Sequence, residues 1–425
     1  MKQKERNPWA WIPTLYMAEA LPYVAVMTIS TIMYKRLGIS NTDIALYTGW
    51  LYLPWVIKPF WSPFVDLMKT KRWWTVTMQF IIAIGFACIA FSLPTSFFFQ
   101  LSLAAFWLVA FTSATHDIAA DGYYMHALDD HEQSLYVGIR STFYRIATVA
   151  GQGLLVILAG FLEESTGDIP MAWAVTFGIM SVVFVLLSLY HGFILSRPAS
   201  DHPVQGVTAR TIAREFLETF RTFFTKKNAL VAILFMLLYR LPEAQLVKLI
   251  NPFMLDPVDK GGLGMTTGEV GFVYGTVGIV GLTIGGILGG IAAAHGGLKK
   301  WLWPMVCAIT LPDIVYVYMS YAMPDNLVLI STCIFIEQFG YGLGFTALTL
   351  YMLYFSKGEF QTSHYAFCTA FSYLGLMLPG MLSGWLKDQL GYNAFFILVM
   401  FLCVITFAVT AFIKVDPDFG KKTEE

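Results

Sequence analysis

Polar residues along this chain gather in short clusters, and long apolar runs lie between the clusters. A bilayer core takes about 20 mostly apolar residues per helix. Twelve stretches meet that length: 9–33, 44–66, 73–93, 97–127, 135–162 and 171–195, then 229–255, 268–294, 301–322, 326–355, 362–386 and 393–413. Backbone in lipid must satisfy its own hydrogen bonds, so runs this apolar are predicted to be helices. The pattern predicts an all-α integral membrane protein with 12 transmembrane helices.

The stretch 196–228 interrupts the pattern. It is basic, contains Pro198 and Pro203, and has a helical pattern from Thr208 to Phe224. The reading is a six-helix bundle over 1–195, a basic linker with an amphipathic helix over 196–228, and a second six-helix bundle with a short tail over 229–425. The halves resemble each other. Gly151, Gly160, Phe161, Leu162 and Gly167 match Gly375, Gly384, Trp385, Leu386 and Gly391 at a constant offset of 224. Asp66 with Lys71-Arg72-Trp73 also has a counterpart in Ala294 with Lys299-Lys300-Trp301.

Lysine and arginine fix the orientation. With the N-terminus in the cytoplasm, 18 of them fall on the cytoplasmic side and 4 on the other, which places both termini inside. Two parallel six-helix halves joined by a cytoplasmic loop describe the major facilitator fold, which puts a substrate site at the midplane between the halves.

Composition agrees: 57% of residues are hydrophobic and 13% charged, against about a quarter charged in soluble domains. Such a surface suits lipid. A net charge of −1 gives no basic field for nucleic acid. Cys88, Cys307, Cys333, Cys368 and Cys403 stand singly in apolar runs and read as small buried hydrophobes, not metal ligands. Lys2, Lys4 and Arg6 precede an apolar run too long for a signal peptide, so this run is read as an uncleaved first span.

Ionised groups inside spans are costly and mark function by default. The fourth stretch carries the densest cluster, Ser113-Ala114-Thr115-His116-Asp117-Ile118-Ala119-Ala120-Asp121-Gly122. Asp117 and Asp121 are four apart and share a helix face. His116 lies about 100° around from Asp117. Two carboxylates on one face repel, and a shared proton relieves the repulsion, which is what proton-coupled transport needs. Arg140 and Arg145 in the fifth stretch are candidate partners; the competing reading is a structural Asp–Arg lock. Glu19 sits mid-span before Pro22.

In the second half, Arg240, Glu243 and Lys248 surround Pro242, and Glu337-Gln338 opens a polar stretch before Gly340, Gly342 and Gly344. These residues suit a cargo with both charge and hydroxyls. His364 and Asp313 read as structural. Lys58, Asp66, Lys71 and Arg72 form a variant of the facilitator loop signature and are assigned to gating and stability.

Tryptophans at the span ends read as interface anchors, and the glycines from 275 to 297 as close helix packing. There is no phosphate loop ending in lysine, no Ser-His-Asp arrangement and no zinc spacing. No enzyme activity, cofactor or metal is expected. The expected partners are a small-molecule solute, protons and the bilayer, with no nucleic acid, and the chain is expected to be a monomer. A membrane sensor that does not transport is the weaker alternative.

At these motifs the sequence resembles the AmpG muropeptide permeases, in the peptide–acetyl-coenzyme A transporter branch of the major facilitator superfamily. The resemblance covers nearly the whole chain. It is carried by Leu21-Pro22, by Lys58 with Trp61-Ser62-Pro63 and Asp66, by Ser113-Ala114-Thr115 through Asp117 and Asp121, and by Tyr144-Arg145. Later come Leu238-Tyr239 with Arg240 and Glu243, then Gly268-Glu269-Val270-Gly271, then Glu337 with its amide neighbour.

The resemblance implies proton-driven import, across a bacterial inner membrane, of N-acetylglucosaminyl-1,6-anhydro-N-acetylmuramic acid with or without peptide. Asp117 and Asp121 would handle protons, with Glu19 and His116 beside them. Arg145, Arg140, Arg240 and Lys248 would meet substrate carboxylates; Glu243, Glu337 and Gln338 would meet amides or hydroxyls. The sequence departs from the pattern at Glu19, His116 and His364, where small or amide residues are expected. The alternative cargo is another charged sugar, a peptide or a coenzyme A ester.

Overall fold

The computed structural model describes residues 6–39, 43, 47–48, 50–202, 209–265 and 267–421, and among them the regular structure is helical throughout. The chain forms two compact units.

Unit 1 comprises Met1–Ala127, Phe143–Leu217 and Phe360–Ala366. Its first span begins as α1 (Ile12–Val24) and passes through a π turn at Ala25–Ile29 into α2 (Ser30–Arg36). Pro22 removes a backbone donor inside α1, and the wider turn follows directly, as expected where a helix ladder is interrupted. The second apolar stretch is broken into α3 (Leu53–Ile57), a tight turn at Lys58–Phe60, and α4 (Ser62–Met68). Pro54, Pro59 and Pro63 each fall in the first turn of one piece, where a missing N–H costs least.

Then come α5 (Lys71–Ser92), α6 (Phe98–Ala127), α7 (Asp130–Thr166), α8 (Ile169–Ile194) and α9 (Ala209–Thr225). Phe86 packs edge-on against Phe184, and Phe106 against Phe177, at the centre of the buried core. The start of α5 is tied down twice. Asp201 accepts hydrogen bonds from the backbone N–H groups of Lys71 and Arg72 at 2.6 and 3.1 Å, placing negative charge at the helix N-terminus. Arg72 in turn donates to the Leu195 carbonyl at the end of α8, at 2.9 Å.

Unit 2 comprises Leu128–Thr142, Glu218–Glu359 and Phe367–Glu425. It contains α10 (Ala229–Leu238), α11 (Leu241–Leu255) and α12 (Thr267–Phe272), the last running through a π turn into α13 (Ile279–Gly296). Next are α14 (Leu298–Thr310), a break at Leu311–Asp313, α15 (Ile314–Ala322), α16 (Leu327–Ser356) and most of α17 (Gln361–Phe412). A core around Phe253, Tyr316, Phe395 and Phe396 holds one end together.

Glycines let α13 and α16 touch backbone to backbone: a Cβ on Gly285 would lie 2.0 Å from the Phe339 carbonyl oxygen. The first turns of α7 rest on the same helix, where a Cβ on Gly138 would lie 1.9 Å from the Gly286 carbonyl oxygen. Lys226, just past α9 and outside the spans, donates to the carbonyls of Phe355 and Lys357 at 2.7 and 2.8 Å; burial lowers its ammonium to about 8.

Ten helices among the described residues are long and apolar enough to cross a membrane. The expected twelve are not separately resolved, for two physical reasons. The stretches 362–386 and 393–413 run on as α17, interrupted only where Gly391 adopts φ +71°, a conformation glycine takes without strain. The stretch 44–66 is divided at its prolines, and residues 44–46 and 49 lie outside those described.

Candidate functional site

Each unit buries its own group of ionisable side chains. In unit 1, α1 supplies Glu19, the proline-bounded turn after α3 supplies Lys58, and α6 supplies His116, Asp117 and Asp121. All five are buried, Lys58 at 1% exposure and His116 at 0%. Carboxylate oxygens of Glu19, Asp117 and Asp121 lie within 4.8 Å of one another. At that separation carboxylates repel unless cations or protons neutralise them. The Lys58 ammonium pairs with Asp117, and the Tyr16 hydroxyl donates to Asp121 at 3.2 Å. Buried charge is tolerated only when paired and hydrogen-bonded, and these contacts meet that demand at Asp117 and Asp121. His116 reaches the Gln79 side chain at 2.9 Å.

Asp66, on α4, pairs with Lys71 at 2.9 Å and accepts from the backbone N–H and the hydroxyl of Ser363, the N–H at 2.9 Å. Ser363 sits in the first turn of α17, so Asp66 supplies both a cap and the charge that a helix N-terminus favours. Arg72 donates to the Leu195 and Gly192 carbonyls at the end of α8.

In unit 2, Arg240 occupies the junction between α10 and α11, opened by Pro242. Its guanidinium grips Glu243 with two bonds of 2.7 Å, donates to the Tyr341 hydroxyl at 3.2 Å and lies over the Phe345 ring at 5.0 Å. One helical turn before Tyr341, Glu337 accepts from the Tyr316 hydroxyl at 3.0 Å and from the Gln338 amide at 2.9 Å. Asp313 is buried at the break before α15.

Arg240→Met would leave Glu243, only 15% exposed, without its fork partner. Such truncations cost about 3–5 kcal/mol, and the expected result is a clearly lowered melting temperature. Arg240→Lys, which keeps the charge but not the two-pronged geometry, should fall between the variant and the native protein.

Nine of the expected site residues thus assemble into two groups: Glu19, Lys58, His116, Asp117 and Asp121 in one, and Arg240, Glu243, Glu337 and Gln338 in the other. Arg140 and Arg145, five residues apart on α7, belong to different units: Arg140 to unit 2 and Arg145 to unit 1. The Lys248 side chain lies outside those described. Sequence reasoning missed Tyr16, Thr14, Gln79 and His191, which all touch these groups or their partners. The signal available for Gln79 and His191 was a lone polar residue in an otherwise apolar run.

The model of the Major Facilitator Superfamily matches residues 14–359. A Rickettsia conorii protein named as transporter AmpG 4 is 25% identical over 406 residues, covering 92% of each chain. The anhydromuropeptide permease of Escherichia coli K12 is 24% identical over 380 residues, 88% of this chain and 71% of its own. Among solved structures, the transporter FucP in its outward conformation superposes with a TM-score of 0.69 at 14% identity, over 95% of this chain and 98% of the other. The arrangement of helices and the matched length lead to one assignment: this multi-pass membrane protein belongs to the Major Facilitator Superfamily.

Proposed function

We propose that the chain is a proton-coupled secondary transporter that imports anhydro-muropeptides, N-acetylglucosaminyl-anhydro-N-acetylmuramic acid with or without peptide, by alternating access across a bacterial inner membrane with both termini in the cytoplasm. The observation that carries the reading is the trio Glu19, Asp117 and Asp121, buried with oxygens within 4.8 Å beside Lys58. Such a trio exchanges protons for ion pairs at little structural cost. Similarity to an anhydromuropeptide permease supports the substrate class.

Asp117, Asp121, Glu19 and His116 take part in proton coupling. Arg240, Arg145 and Arg140, with Lys248, meet the cargo's carboxylates; Glu243, Glu337 and Gln338 meet its amides and hydroxyls. Asp66, with Lys58, Lys71 and Arg72, serves gating: its bonds to Ser363 form and break as the cytoplasmic side closes and opens.

Purified protein in liposomes, given an inward proton gradient, should accumulate the labelled anhydro-disaccharide, and a protonophore should abolish the accumulation. Uptake indifferent to the gradient would remove the coupling. Uptake that a coenzyme A ester or a plain peptide competes away, and the anhydro-disaccharide does not, would change the cargo.

A further inference from the structure

A line of buried polar side chains crosses unit 1 from α6 to the start of α1. The Nε2 of His116 lies 2.9 Å from the Gln79 amide, the other end of that amide lies 2.9 Å from Nδ1 of His191, and Nε2 of His191 lies 3.0 Å from the Thr14 hydroxyl. The Thr14 hydroxyl is in turn 3.2 Å from the backbone carbonyl of Trp11. His116, Gln79 and His191 are all fully buried. The Nδ1 of His116 has no hydrogen-bond partner among the described residues.

Such a chain has only two self-consistent directions, because a neutral imidazole donates through one nitrogen and accepts through the other. In the first, Thr14 donates to His191, His191 to the amide oxygen, the amide N–H to His116, and His116 is left with a buried N–H at Nδ1 that nothing accepts. The bond from Thr14 to the Trp11 carbonyl is lost as well. In the second, every donor points the other way: His116 Nε2–H to the amide oxygen, amide N–H to His191, His191 Nε2–H to Thr14, and Thr14 to Trp11. The two ends of a glutamine amide are interchangeable in shape, so the network decides which way it stands.

The second direction makes one more bond. The unmet atom it leaves is a lone pair, and a buried lone pair costs less than an orphaned N–H. A carbonyl can only accept, so Trp11 sets the direction for the whole chain.

We propose that Thr14, Gln79 and His191 are positioning residues that hold His116 as its Nε2–H tautomer, so that Nδ1 stands as a bare proton acceptor inside unit 1. This deepens, and rests on, the reading of His116 as a member of the proton-coupling group. A proton arriving at Nδ1 converts the ring to imidazolium without breaking any bond of the chain, since Nε2–H already donates. The titratable groups that interact with the ring are Asp117 on its own helix and His191 on α8. Asp117 is in turn joined to Lys58 before α4, lies with Glu19 on α1 and with Asp121 on α6, which accepts from Tyr16, and faces Tyr144 on α7. The neighbouring Asp117 carboxylate favours the imidazolium by its charge.

The test compares the native protein with Thr14→Val and Thr14→Ser in lipid nanodiscs, using nitrogen NMR of labelled histidine, with His116→Gln and His191→Gln to identify the two signals. The native His116 should be a single neutral form with Nε2 protonated. Thr14→Val, equal in shape and three bonds of the chain away, should turn it into a mixture of both tautomers, and Thr14→Ser should restore the single form. A native ring protonated at Nδ1, or a tautomer that Thr14→Val leaves unchanged, would overturn the proposal.

In liposomes, the pH midpoint of gradient-driven uptake should move in Thr14→Val and return in Thr14→Ser; an unmoved midpoint with an altered tautomer would also overturn it. The NMR needs no cargo. Failure of anhydro-disaccharide uptake with the tautomer pattern intact would therefore sink the substrate assignment and leave the tautomer lock standing.

Discussion

Lys58→Met should both destabilise the protein and stop transport, while Lys58→Met combined with Asp117→Asn should regain much of the stability and none of the transport. The Lys58 and Asp117 side chains are 1% and 8% exposed, and they pair inside unit 1. Removing one partner of such a pair costs about 3–5 kcal/mol, because the remaining charge keeps its desolvation penalty and loses its compensation. Here the remaining charge has company: Glu19 and Asp121 oxygens lie within 4.8 Å of it.

Neutralising Asp117 as well removes the orphan, so the double variant should be more stable than the sum of the single effects by on the order of 1–3 kcal/mol. Thermal melting in detergent reads this part, and strict additivity would show that the two groups are not coupled. Uptake in liposomes separates function from scaffolding. A proton-handling Asp117 predicts that Lys58→Met, Asp117→Asn and the double variant all lose uptake by about a hundredfold or more, as for a positioned acid–base group. A double variant that transports normally would make the pair a structural lock and nothing more.

The spans and the fourth-stretch carboxylates were legible in the sequence because both signals are local. Twenty apolar residues declare a lipid-crossing helix without reference to anything else. Asp117 and Asp121, four apart, share a face by helix geometry alone. The partners of those groups were not legible. Tyr16 meets Asp121 across 105 positions, and Thr14 meets His191 across 177. Gln79 joins His116 and His191, which are separated from it by 37 and 112 positions. A lone amide or imidazole in an apolar run says that it needs a partner, but packing decides which one.

The same holds for Arg140 and Arg145. Proximity in sequence suggested one role for both, yet α7 passes from unit 2 to unit 1 between them. Prolines were informative in a different way. Pro54, Pro59 and Pro63 lie in an apolar run that reads as one span, and each instead starts a separate short piece, leaving Lys58 on the turn from which it reaches Asp117.

Gly285→Leu should be among the most damaging substitutions in the chain. Helices in lipid gain nothing from hiding apolar surface, because the surrounding tails are equally apolar; their association depends on close van der Waals contact. α13 and α16 achieve that contact through glycine on both sides. A Cβ would stand 2.0 Å from the Phe339 carbonyl oxygen at Gly285 and 2.7 Å from that of Phe335 at Gly281. From the other helix, one on Gly342 would stand 2.2 Å from the Leu282 carbonyl oxygen.

None of these obstacles is a flexible side-chain end, so a leucine must push the helices apart along their length. The damage would reach the site, since α16 carries Glu337, Gln338 and Tyr341 and so sets the grip on Arg240. A loss above about 4 kcal/mol is expected, in the range kept for severe overpacking and buried-network failures, and Gly285→Ala should cost about 1–3 kcal/mol. The control is Gly384→Leu, where an added Cβ meets nothing within 4 Å; it should stay within about 0.5 kcal/mol of the native protein. Melting curves and the yield of monodisperse protein measure all three. Equal stability of Gly285→Leu and Gly384→Leu would mean that the two helices do not depend on backbone contact to hold α16 in place.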